Sequence, residues 1–167
     1  MRDGDAGKEI RAEPSVLDGP NSRLYAYFIA EFMLRSAATI APAFENDYES
    51  VIIFLAMTTQ NSQALMLNQK HRRKFSSFRE PIPMDLMRPV SRKSLARSTG
   101  LPRETVRRKV ARLIERGLVV EANGGLIVPP YVHDNPLYLE VLRPQETLLL
   151  RLLAITVGDD DTGDGGR

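Results

Sequence analysis

The chain has no cysteine and only two histidines, His71 and His133. The first absence excludes a disulfide framework and any thiolate metal site, and two histidines do not make a histidine-rich one. The first twenty residues, "MRDGDAGKEIRAEPSVLDGP", lack the apolar core of a signal peptide. Long uninterrupted apolar runs are missing too. The two best, Leu24–Ile40 and Val51–Leu67, contain Glu31 with Arg35 and the polar stretch "TTQNSQ", respectively. Neither reads as a membrane span, so a soluble, cytoplasmic protein is expected. No nucleophile–base pair, phosphate-binding glycine loop or metal-ligand cluster is present. Asp134 beside His133 reads as a structural pair, so neither an enzyme nor a bound cofactor or metal is expected.

Charge is nearly balanced overall at +2, but it is not evenly spread. Between Lys70 and Arg116 there are fifteen Lys and Arg against four Asp and Glu, a net of +11, while the rest of the chain sums to −9. A cationic middle between acidic flanks points to a polyanion-binding face.

Composition divides the chain. Residues 1–19 and the acidic tail 158–167 are rich in Gly and charge, and disorder is expected there. Residues 20–69 read as a helical region. A helix follows Asn21 and Ser22, buried on more than one side and ended by Pro42. A second, capped by Asp47, runs from Tyr48 to about Gln69. Glu31 and Arg35 stand at i,i+4 and are expected to pair. "KHRRKFSSFREPIPMD" reads as a loop and "LMRPV" as a short strand. Residues 131–157 read as C-terminal helices, broken at Pro144. Their leucines, Leu148 to Leu150, Leu152 and Leu153, with Ile155, need cover, either from Leu24–Ile40 of the same chain or, preferentially, from a second copy in a homodimer.

The most specific signal lies in residues 70–130: "SRKSLARSTGLPRETVRRKVARLIERGLVVEANGGLIV", starting at Ser91. Ser91 caps a short helix. Small Ala96 lets a second helix approach. Gly100 supplies the positive φ of a tight turn, and Pro102 suits a first helical position. In the next helix Val106, Val110, Leu113 and Ile114 share one face, while Glu104, Arg108 and Arg112 fall opposite. Gly117 stops it. Two β-rich runs around Asn123 and Gly124 then make a hairpin. The expected fold is mainly α with a small β-hairpin wing: a winged helix-turn-helix flanked by N- and C-terminal helices.

This segment resembles the DNA-binding region of the Crp/Fnr regulators. Their pattern of Ser or Thr, Arg, two residues, Ile or Leu, then Ala, followed by Gly and R-E-T-V-x-R, is matched by Arg92, Leu95, Ala96, Gly100, Arg103, Glu104, Thr105, Val106 and Arg108. The resemblance covers about forty residues. It departs at Lys109, where the family is usually apolar, at the more polar Ser98, and at residues 1–69, which read as helical rather than as an effector-binding β-roll. Terminal helices around a central winged unit are similar in layout to MarR-type regulators.

The resemblance implies that Arg103, Glu104 and Arg108 reach base edges. Side-chain chemistry agrees, since an Arg fork suits guanine and a carboxylate accepts from cytosine N4. Arg92, Lys93, Thr105, Arg107, Lys109 and Arg112 are candidate phosphate contacts. Asn123 and Gly124 form the wing tip. The expected partners are double-stranded DNA and a second copy of the chain, in a bacterial-type transcriptional regulator. The alternative is a winged-helix adaptor that binds protein. No residue pattern reports a small-molecule effector.

Overall fold

The computed structural model describes residues 18–133 and 135–158. The segments expected to be disordered, apart from Asp18, Gly19 and Gly158, lie outside these residues, as does Asp134. The described chain is mainly helical, with one two-stranded antiparallel hairpin. In order it forms α1 (Ser22–Ile40), a 3₁₀ turn at Ala41–Phe44, α2 (Tyr48–Leu67) and α3 (Gln69–Phe75). After a 3₁₀ turn at Met84–Leu86 come α4 (Arg92–Thr99), α5 (Arg103–Glu115), β1 (Val120–Ala122), β2 (Gly125–Ile127), α6 (Pro130–His133) and α7 (Pro136–Gly158). No helix of the described residues is long and apolar enough to cross a membrane.

The core forms around α2. Ile53, Phe54 and Met57 pack with Leu95 of α4, with Val106, Val110 and Leu113 of α5, and with Val119, Leu126 and Val128 around the hairpin. Val106, Val110 and Leu113 are fully buried. Each such side chain contributes about 1.5–3 kcal/mol by leaving water. The apolar back of α5 therefore sets its rotation, and the exposed Glu104–Arg107 ion pair on its front does not. Ile114, expected on the same face, is only partly buried at the edge of this cluster.

Local signals act where the sequence carries them. Asp47 caps α2 by accepting from Ser50 N at 3.3 Å, and Ser91 Oγ caps α4 by accepting from Ser94 N at 3.1 Å. Gly100 closes α4 in the left-handed conformation, φ 72°. Pro102 sits one place earlier than expected, as the residue before α5. Its extended backbone (ψ 142°) turns the chain into the new helix. Asn123 and Gly124 both take positive φ, 52° and 78°, as a two-residue hairpin turn demands.

Four expectations are corrected. The "KHRRKF" part of the expected loop is helical: Asn68 Oδ1 accepts from Lys70 N and His71 N, and buried Phe75 anchors the other end. The expected strand at 86–90 reduces to a single bridge between Val90 and Leu126. Leu86 belongs to a 3₁₀ turn, and Pro89 has no N–H for a ladder. Helix α7 runs through Pro144 without a break. Pro144 is exposed, so water can reach the Glu140 carbonyl that loses its donor, and packing of α7 on α1 holds the helix. Finally, α1 buries only Tyr25 and Ile40. Leu24, Tyr27, Ile29, Met33 and Leu34 are exposed. The Glu31–Arg35 pair forms as expected, at 2.9 Å.

Candidate nucleic-acid interface

Two consecutive helices and a hairpin place the cations. Helix α4 is tied to α2 by polar links: Ser94 Oγ donates to Gln60 Oε1 at 2.8 Å, and Gln60 Nε2 donates to Ser98 Oγ at 3.0 Å. The polar Ser98 thus has a fixed partner. Gly100 N donates to Ala96 O at 3.1 Å, closing the turn, and partly buried Leu101 packs on the core. These contacts present the N-terminal end of α5 beside α4. Lys93 and Arg97 of α4 and Arg103 of α5 line one surface groove between the two helices. Arg107, Arg108 and Arg112 line a second shallow surface on α5.

Arg103, Arg108 and Arg112 are exposed, without an ion pair among the described residues. Glu104 and Arg107 are exposed too, but they bind each other: Arg107 donates to both Glu104 oxygens, at 2.6 and 2.9 Å. Arg107's hydrogen bond holds the Glu104 carboxyl below its ordinary pKa, with desolvation opposing it and the charges of Arg107 and Arg108 adding to it. The same bond raises Arg107. Both oxygens that would accept from cytosine are therefore already engaged by a neighbouring cation. Thr105 is half-buried. Arg92 pairs with Glu121 of β1, so it braces α4 against the hairpin. Asn123 and Gly124 are exposed at the hairpin tip.

Lys109 borders the same α5 surface as Arg107, Arg108 and Arg112, but its ammonium is engaged by carboxylates: its side chain is only 12% exposed, and Nζ donates to both oxygens of Asp47 at 2.7 Å, with Glu49 at 3.1 Å. Helical geometry accounts for this. Lys109 stands four residues before buried Leu113, so it leans towards the core side of α5. Burial opposes ionisation of Asp47, yet the hydrogen bonds from Lys109 and Ser50 outweigh it and hold the carboxyl below its usual value. Lys109 is raised in turn, first by its bond to Asp47. This pair locks α5 to the start of α2. Arg116 adds a second tie, donating to Ala43 O at 2.8 Å.

Two residues escaped the reading of the sequence. Arg97 joins Lys93 and Arg103 in the groove, and its spacing of four from Lys93 on one helix was the available signal. Asn61 is fully buried and organises the hairpin base. Its Nδ2 donates to Arg88 O at 2.7 Å and Leu126 O at 3.1 Å, and its Oδ1 accepts from Val128 N at 2.9 Å. An asparagine inside an apolar helix gives no hint of such distant partners. Gly125 lets the 88–90 segment cross the hairpin, because a Cβ there would stand 2.8 Å from Pro89 Cβ.

Searches of known protein families, of curated proteins and of solved structures find no match to this chain.

Proposed function

We propose that α4, α5 and the hairpin form a winged helix-turn-helix, and that the chain binds double-stranded DNA in a sequence-specific manner as a transcriptional regulator. One observation supports this most: α5 has a fully buried apolar back and an exposed front bearing Arg103, Arg107, Arg108 and Arg112. A helix of this kind, presented beside a second helix at its N-terminal end, suits the major groove. Arg103 and Arg108, without an ion pair among the described residues, are the base-reading candidates. Glu104 joins them when Arg107 turns away to a phosphate. Lys93, Arg97 and Arg112 supply backbone contacts. The exposed tip at Asn123 and Gly124 meets the adjacent backbone.

The regulator acts as a dimer. Helices α1 and α7 pack on each other within the chain, yet Tyr27, Met33 and Leu34 of α1 remain 60–71% exposed, and Leu149 and Leu150 of α7 are exposed as well. Exposed apolar side chains on both helices suit an interaction surface. A second copy fits it, because paired half-sites are read by paired proteins.

Fluorescence anisotropy with a labelled duplex tests the proposal. About six neutralised phosphates give a log–log salt slope near −5. Binding that is absent at low salt, or flat in salt, contradicts it and favours a protein-binding adaptor.

A further inference from the structure

We infer that a cavity between α2, the 75–87 segment, α6 and α7 is a binding site for a small neutral aromatic molecule. Its volume is about 290 Å³, at the lower edge of the range typical of ligand pockets. Met66 of α2 and Met87 form adaptable apolar walls. Phe78, His133 and Tyr138 form an aromatic one: Phe78 and His133 each meet the Tyr138 ring edge-on, with centroids 6.3 and 5.0 Å away. Planar rings stack well on such a surface.

Glu80 is the one Asp, Glu, Lys or Arg in the wall among the described residues, so the lining is largely uncharged and suits a neutral ring. Burial also keeps the Tyr138 hydroxyl protonated well into the alkaline range.

The site lies apart from the cationic face of α5, and it is tested without DNA. The probe is indole, titrated into full-length protein carrying labelled methionine methyls. The chain has no tryptophan, so indole emission excited beyond tyrosine absorption gives a second readout. The Met66 and Met87 methyl signals are expected to move saturably, with half-saturation below about 1 mM. Indole emission shifts to the blue over the same range. Met33, 66% exposed on α1, stays still. Ser62→Leu places a larger side chain in the wall and is expected to weaken binding at least tenfold. If that variant fails to fold by circular dichroism, Ser77→Phe at the exposed rim carries the same expectation. No saturable shift, equal movement of Met33, or undiminished affinity in the folded filled variant overturns the assignment.

Discussion

Replacing Lys109 with Met tests whether this cation is a structural strut or a phosphate contact. The side chain keeps its length and apolar stem but loses the ammonium that holds Asp47 and Glu49. Lys109 and Asp47 are 12% and 19% exposed, so the pair falls between two known regimes. Exposed pairs are worth about 0–1 kcal/mol, and breaking a buried one costs about 3–5 kcal/mol. Asp47 keeps its bonds from Ser50 and some contact with water. A loss of about 2 kcal/mol follows, which lowers Tm by roughly 4–8 °C for a chain of this size. The pH dependence has a definite sign. Asp47 titrates below its ordinary value of 3.8, so its contribution is present above that pH and is lost as pH falls through the depressed pKa. Lys109 titrates above 10.5, so its contribution is complete below that pH and is lost only as pH rises through the raised pKa. The difference between wild type and Lys109→Met is therefore flat from about pH 5 to 9 and shrinks in acid below 3.8. Urea denaturation followed by far-ultraviolet circular dichroism measures it. The salt slope of duplex binding should not change. An unchanged Tm together with a slope shallower by about one unit refutes the reasoning and returns Lys109 to the DNA face.

Arg108→Ala should cost about 1–3 kcal/mol on the preferred duplex and relax preference at one base pair. Arg112→Ala should weaken all duplexes alike and reduce the salt slope by about one. Anisotropy with preferred and scrambled duplexes separates the two. Asn61→Leu leaves buried Val128 N and part-buried Arg88 O without their side-chain partner, so urea unfolding should show a loss of about 1–3 kcal/mol, chiefly from the one buried orphaned donor. Removing residues 140–167 strips most of α7 from α1, and light scattering should then report monomer or aggregate. Full-length protein that is monomeric at tens of micromolar, about where a dimer of Kd near 1 μM would be assembled, counts against the terminal helices as a dimer interface.

What was legible in the sequence was local. Ser91 and Asp47 announce their helices because a cap acts within three residues. Gly100, Asn123 and Gly124 announce turns because positive φ is a property of one residue. The buried face of α5 is visible in its periodicity because Val106, Val110 and Leu113 repeat at helical spacing. Distant partnerships were not legible. Lys109 finds Asp47 across 62 positions, and Asn61 reaches Val128 across 67. Helix α3 lacks apolar periodicity, since Phe75 is its one buried residue. Pro144 reads as a break because a missing N–H is a local fact, whereas the packing that carries α7 past it is not. At the candidate interface the sequence supplied the cations of α5. It did not reveal that Glu104 is occupied by Arg107, or that Arg97 shares a groove with Arg103.

The central claim is that the front of α5 reads DNA sequence. Selection of bound duplexes from a random pool, run in parallel with wild type and Arg108→Ala, tests it most directly. The account predicts a palindromic enriched site for wild type and degeneracy at one base pair in each half-site for the variant. A pool that stays random at salt concentrations where the protein still binds, or identical enriched sites for both proteins, contradicts it.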